Sequence, residues 1–468
     1  MNTEHFRYCW AILACALACN YTLPASGRTD EINSATAIPF ETRSSNASGT
    51  LATVTASGKL DRNNPFFQSL GSNGRSCATC HQPEAGWTIT PQGVQARFES
   101  TAGNDALFRL TDGANSPRAA VSNIPERRVA YSMLLRKAVI RIGLPIPAAA
   151  EFTLEHADDP YGFASASELS LFRRPLPATN LRFLSGVMWD DREDRAPFAP
   201  LEAGAALSNL VSSLTAQAIN ATVGHAQAAQ APGALAMRQI VGFELGLSTA
   251  QARDRGAGLL GGTEVAGGPR ALAGQEFHIG SNDALGADPF PISFSTDAMR
   301  LFEAWQSSSN PARAAIARGE QLFNTRLFPI SRVNGLNDAA RLPLIAGTCT
   351  TCHDTPNVGN HSITRPMDIG TADASRRTPD LPLYTLLDIA SGARRQTTDP
   401  GRALVTGNWA DIGKFKTPVL RGLAARAPYF HNGMAATLAD VIEFYDIRFA
   451  IGLTLQERND LAAFLNAL

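Results

Sequence analysis

Cys77-Ala78-Thr79-Cys80-His81 and Cys349-Thr350-Thr351-Cys352-His353 are two copies of one pattern, Cys-x-x-Cys-His. This is the attachment signature of c-type haem. Chemistry dictates the spacing: two thiols add across the two vinyl groups of one porphyrin, and the adjacent imidazole then reaches the iron as its fifth ligand. Seven Cys and eight His among 468 residues would give only ~0.002 accidental copies. A four-Cys zinc knuckle would want both pairs within a short span, yet roughly 270 residues separate them and a His directly follows each. The expectation is two covalently bound haem c groups, attached through Cys77, Cys80, Cys349 and Cys352, with His81 and His353 on the irons.

Outward from the motifs, 468 residues exceed the size at which one core keeps growing, so at least two domains are expected, most simply with one haem each. The net charge of -1 and the lack of a Lys/Arg stripe argue against nucleic acid as a partner. The remaining cysteines, Cys9, Cys15 and Cys19, sit in the first twenty residues, and no pair is left for a structural disulfide. The apolar run from Tyr8 to Cys19 follows Arg7 and is far shorter than the ~20 residues of a membrane span, so residues 1–25 read as a signal peptide and the protein as periplasmic. Ala16-Leu17-Ala18-Cys19 resembles a lipoprotein cleavage box, which would anchor the chain to a membrane through Cys19; cleavage near Ala25 is the alternative. Residues 26–58, rich in Ser, Thr, Ala and Gly, read as a flexible tether.

Residues 59–246 are expected to form a first haem domain. A Gly-rich connector is expected over 247–290, where six glycines from Gly256 to Gly268 break any period, and a second haem domain over 291–468. That second unit opens with two helical patterns, Thr296 to Gln306 and Asn310 to Phe323, the latter with Asn310 as cap and Pro311 in the first turn. It closes with Leu438, Val441, Ile442 and Tyr445 on one helical face and a Thr454/Glu457 capping box before Leu461, Phe464 and Leu465. Strand signals are few. The fold class is therefore mainly α, two cytochrome c-like haem domains with long loops.

Phe415-Lys416-Thr417-Pro418-Val419-Leu420-Arg421-Gly422-Leu423, then Ala427-Pro428-Tyr429-Phe430-His431-Asn432-Gly433, resembles the C-terminal signature of bacterial dihaem cytochrome c peroxidases, a superfamily that includes the MauG-type enzymes. Met188-Trp189-Asp190-Asp191-Arg192 resembles that family's Phe-Trp-Asp-Gly-Arg element, whose Trp lies between the haems. The resemblance runs from about Leu60 to Leu468, interrupted by an expanded region from Gly86 to Arg173 and by the connector.

The resemblance implies roles for single residues. The first haem, bound through His81, would be where hydrogen peroxide meets iron. The second haem's sixth ligand would fall on Tyr445, where the peroxidases have Met and MauG-type members have Tyr; core filling is the competing reading of the same buried face. Trp189 would share oxidising equivalents between the haems, with Asp190 and Arg192 either pairing to hold the ring or lying as surface charges. Gln217 stands in a segment similar to the family's Gln element, but no Glu follows at the family spacing, and His225 occupies that stretch as a candidate acid–base group. Glu202 is the carboxylate alternative. His431 would approach the second haem or the inter-haem region. His156 is a weaker candidate for a removable ligand of the first haem, and His278 and His361 read as structural. A calcium ion between the domains is part of the family pattern, but Arg174 holds its Asn position and Arg426 lies in its other segment.

The expected function is a periplasmic dihaem oxidoreductase reacting with hydrogen peroxide. Its electron donor would be a small cytochrome c or cupredoxin, as in a cytochrome c peroxidase, or residues of a partner protein, as in MauG-like enzymes. The rivals are a plain electron-transfer dihaem cytochrome and a dioxygen-using dihaem oxygenase.

Overall fold

The computed structural model describes residues 41–194 and 203–468. The expected signal peptide, Cys9, Cys15, Cys19 and Glu202 lie outside these residues. Within the described chain the strands are β1 (Glu41–Ser45), β2 (Gly49–Thr55), β3 (Ile140–Leu144), β4 (Phe152–Asp158), β5 (Leu169–Arg173), β6 (Leu247–Asp254), β7 (Gly258–Leu259), β8 (Phe328–Ser331), β9 (Leu344–Gly347), β10 (Leu383–Asp388) and β11 (Arg394–Thr397). The helices are α1 (Pro91–Thr101), α2 (Ile124–Ala130), α3 (Ser132–Lys137), α4 (Ala203–Gly224), α5 (Ala234–Leu245), α6 (Gly268–Gly274), α7 (Pro311–Thr325), α8 (Asn337–Ala340), α9 (Ala403–Thr406), α10 (Leu438–Phe449) and α11 (Leu455–Ala467). None is long and apolar enough to cross a membrane. Helix outweighs strand, 33% against 17%, but strands are more numerous than the sequence suggested.

Two segments expected to be irregular are built into one antiparallel sheet of order β1-β2-β6-β7. Residues 41–55, inside the expected tether, form β1 and β2, and β6 opens the expected connector, pairing Thr53 with Thr249. Leu51 to Thr55 are buried without a break, so both faces of the strand are covered and no alternating pattern survives in the sequence. The connector also contains α6 and a β6–β7 hairpin.

The segment from Thr296 to Gln306 is the other departure. Only a short 3-10 turn, Glu303–Trp305, forms there. The Leu301 and Phe302 amides donate to the buried Glu320 carboxylate at 2.6 and 2.9 Å, and the Met299 amide donates to Asn324 Oδ1 at 3.2 Å. Side chains of α7 thus take the amide protons that a helix would have used internally.

The cap signals do set helices where they stand. Asn310 accepts from the Ala312 and Arg313 amides with Pro311 in the first turn, and Thr454 with Glu457 forms the capping box of α11. α7 and α11 pack against each other through Ile316, Phe323, Leu461 and Phe464. Gly319 permits the approach, because a Cβ there would meet the Asp460 carbonyl oxygen at 2.0 Å. Phe464 is fully buried, a contribution on the order of 2–3 kcal/mol. A second sheet, β11-β10-β4, ties residues 152–158 to 383–397.

Candidate functional site

Each Cys-x-x-Cys-His motif begins in a 3-10 turn capped by the residue before it, Ser76 or Thr348. Each motif also lines an apolar cavity. Around the first stand Cys77, Cys80, His81, Gln217 and His225; around the second stand Cys349, Cys352, His353, His431 and Tyr445. Among the described residues these four cysteines form no disulfide. Burial pushes Cys77, Cys349 and Cys352 up to about 12, the reverse of what a reactive dithiol needs.

The two histidines are held in the same way. His81 Nδ1 donates to the Trp87 carbonyl at 3.0 Å, and His353 Nδ1 donates to the Gly359 carbonyl, six positions on in both cases. A carbonyl only accepts, so the proton is fixed on Nδ1 and Nε2 is left as the donor atom for a metal. Burial lowers both imidazoles, His353 to about 4, which keeps that lone pair free. The first arrangement is braced from the sheet: the Trp87 indole donates to Thr53 Oγ1 at 2.9 Å, and Thr53 meets Thr249 at 2.8 Å.

The cavities share a wall. Arg174 to Pro177, Trp189, Lys416, Pro418 and Arg426 line both. Trp189 Nε1 donates to the Arg174 carbonyl at 2.8 Å, and its ring stands edge-on to His431, with centroids 6.3 Å apart. His431 is buried, stacks on Phe415 at 4.0 Å and leaves Nε2 without a partner. Asp190 is fully buried and accepts from Arg173 at 2.5 Å and Arg192 at 3.0 Å, while Arg173 also reaches Asp399 at 2.7 Å. Burial alone would raise the Asp190 carboxyl, but the two arginines hold it at about 2. The surface reading of Asp190 is therefore wrong.

Arg174 and Arg426 are guanidinium groups in this wall with no carboxylate partner among the described residues. Burial, and for Arg174 the nearby Arg426, lowers them to about 9 and about 10. Arg426 Nη2 donates to the Val419 carbonyl at 2.8 Å, and its buried Nε has no partner among the described residues. Arg174 Nη2 donates to the Arg426 carbonyl at 2.9 Å and Nη1 to the carbonyls of Lys137 and Ala138.

In the first cavity α4 presents Leu214, Gln217, Ala218 and Ala221 at helical spacing, and His225 just after its end. His225 Nδ1 lies 2.5 Å from Asp112 Oδ2, and Arg75 holds the other oxygen at 2.5 Å. Burial would raise Asp112, but His225 and Arg75 bring it below the ordinary carboxyl range. Neither Asp112 nor Arg75 carried any sequence signal. Glu244 on α5 was missed as well. It is buried at the same cavity with Oε2 unpartnered, and burial pushes it up to about 8. His156, by contrast, is exposed on β4 opposite Thr385 and lines neither cavity, so it is no candidate ligand.

In the second cavity α10 turns the expected face inward: Leu438, Val441, Ile442 and Tyr445 all line it. Burial, with the Cys352 and Cys349 thiols nearby, raises the Tyr445 phenol.

Two apolar cavities, each with its thiol pair and preset imidazole and divided by a wall bearing buried arginines, fit two covalently held haems. No family model matches the chain. Among curated proteins it is 33% identical over 198 residues to the cytochrome-c peroxidase IdrP1 of Denitromonas iodatirespirans, covering 37% of this chain and 46% of that protein. It is 32% identical over 205 residues to IdrP1 of Pseudomonas sp. strain SCT, covering 39% and 53%. The chain thus spans about half the length of the curated relatives it matches. A solved MauG-like protein associated with microbial copper homeostasis aligns over 86% of both chains at 16% identity and a TM-score of 0.38. With both haem motifs in place, the chain is similar over these stretches to bacterial cytochrome-c peroxidases.

Proposed function

We propose that this is a periplasmic dihaem oxidoreductase that turns over hydrogen peroxide at the His81 cavity and passes oxidising equivalents to the His353 cavity. The observation that carries the reading is that Trp189 lines both cavities, which gives an oxidisable indole access to each. Haems held by these thiols and imidazoles would supply the redox chemistry, with the two electrons that reduce peroxide to water coming from the donor. His225 takes the proton from peroxide as it binds and returns it to the departing oxygen. Asp112 keeps the His225 Nδ1 proton in place and favours the imidazolium formed in between. Gln217, on the same face of α4, offers an amide to the bound oxygen atoms. Trp189 and His431 form the aromatic bridge across the wall.

Tyr445 as the sixth ligand of the second haem is supported by its place on the inward face of α10 beside Cys349 and Cys352. An anionic oxygen donor lowers the reduction potential relative to a thioether. That favours a protein residue as electron source, with a small cytochrome c or cupredoxin as the second choice. At the family's calcium position the Arg174 guanidinium already engages the Arg426 carbonyl, so we infer that the cation is replaced by an arginine. Export is supported by the run from Tyr8 to Cys19, and a lipid anchor by the box ending at Cys19.

The test is to mix the oxidised dihaem protein with hydrogen peroxide and follow the haem absorption bands, then add a reduced cytochrome c. A prompt spectral change followed by donor oxidation is expected. An unchanged spectrum would leave the electron-carrier reading, and a change with dioxygen in place of peroxide the oxygenase reading.

A further inference from the structure

His361 has no role in either cavity, and the sequence leaves it as a structural loop residue. Its side chain is 1% exposed and lies between two carboxylates at 0% exposure. Nδ1 is 2.8 Å from Asp354 Oδ2, and Nε2 is 3.9 Å from Asp283 Oδ1. Among the described residues none of these four atoms makes a well-aligned hydrogen bond, although Asp354 and His361 stand close enough for an ion pair.

The opposite oxygens are tied down by backbone. Asp354 Oδ1 accepts from the Ser362 amide at 2.7 Å, and Asp283 Oδ2 accepts from the amides of Leu285 and Ala287 at 3.0 and 2.9 Å. Each carboxylate is thus oriented through one oxygen and turns the other toward the imidazole. One ligand atom from each of the three residues can be chosen so that all lie within 4.8 Å of one another. The hydroxyls of Ser281, Thr355 and Ser362, on the same segments, are also buried without partners.

Buried carboxylate oxygens without an aligned hydrogen bond are costly, and oriented backbone bonds to the opposite oxygen of each are what supporting contacts to metal ligands look like. A mixed imidazole and carboxylate set suits zinc, manganese or ferrous iron, whereas calcium takes oxygen donors alone. We propose that Asp283, Asp354 and His361 bind one buried divalent transition-metal ion, zinc before the others, distinct from the two haem irons.

The placement gives that ion a task. Asp354 directly follows His353, and His361 stands two residues after Gly359, whose carbonyl fixes the His353 proton. The ion would therefore clamp both ends of the turn that orients the second haem's histidine.

The test uses the full dihaem protein, produced with zinc in the medium and washed with EDTA to strip surface ions, with metals counted by mass spectrometry. One zinc for every two irons is expected. In His361→Gln and Asp283→Asn zinc should fall at least tenfold while two haems per chain remain. If the wild type holds no divalent metal beyond haem iron after zinc or manganese supplementation, or if both variants keep a full equivalent, the proposal is overturned, and His361 is instead an imidazolium bridging the two carboxylates. Should neither variant retain both haems, anomalous diffraction from wild-type crystals at the zinc edge decides: a peak among the three side chains supports the site, and its absence rejects it.

Discussion

The imidazole of His225 meets the carboxylate of Asp112 at 2.5 Å across 113 positions of sequence. Behind the pair, Arg75 is buried and donates to Asp112, to the His225 carbonyl and to the carbonyls of Ala106 and Leu107. Such bracing fixes which ring nitrogen carries the proton. Asp112→Asn should lower kcat for peroxide by ~10²-fold with KM little changed, the low end of the 10²–10⁴ range for a general acid–base group. His225→Ala should cost at least as much. Steady-state rates equal to wild type in both would mark the pair as structural.

Trp189→Phe keeps an aromatic ring in the shared wall but removes the indole and its bond to the Arg174 carbonyl. Both haems should attach and the first should still react with peroxide, while most donor oxidation is lost. Rapid-mixing spectroscopy separates the two steps, and full donor turnover in the variant would remove Trp189 from the path.

Tyr445→Phe preserves the ring on the inward face of α10 and should cost less than ~1.5 kcal/mol in stability, the scale of one hydroxyl. If the phenol is an iron ligand, the second haem's potential rises and its absorption bands shift. Spectroelectrochemistry reads both, and unchanged values would make Tyr445 core filler.

Glu244 yields a pH prediction. Its folded value, about 8, lies above the ordinary 4.5, so the native state holds a proton that the unfolded chain releases. Stability should therefore fall as pH rises from about 4.5 to about 8, by up to about 1.4 kcal/mol per pH unit, and level off beyond. Glu244→Gln should flatten that slope and be the more stable protein at pH 8, as thermal melts across this range would show.

Arg173 donates to both Asp190 and Asp399, all three buried. Arg173→Leu would leave the buried Asp399 without its arginine and Asp190 with Arg192 alone, and should destabilise the fold by about 3–5 kcal/mol. Chemical denaturation of the dihaem protein measures it, and a loss under about 1 kcal/mol would mean that other groups neutralise the pair.

The sequence displayed the thiols, the imidazoles, Trp189, the inward face of α10 and the helix caps, because each rests on spacing within a few residues. Thr454 with Glu457 and Asn310 with Pro311 are local in that sense. Asp112 was hidden because its partner lies 113 positions away and a lone Asp has no pattern of its own. β2 was read as tether because both its faces are covered, which erases alternation, and its partner β6 begins some two hundred residues on. Thr296 to Gln306 has helical spacing, but the Glu320 carboxylate outcompetes the helix for its amides. His361 looks idle in the sequence because Asp283 comes from a distant segment, and Asp354, on the same turn, has no pattern of its own.

The partition formed by Arg174 to Pro177 and Trp189 belongs to two chambers at once. A substitution there cannot be tuned to one prosthetic group without being felt by its twin, so redox midpoints should drift in pairs among natural variants of this stretch. Engineering that seeks to adjust a single centre has to work from the outer shells, at α4 for one and α10 for the other.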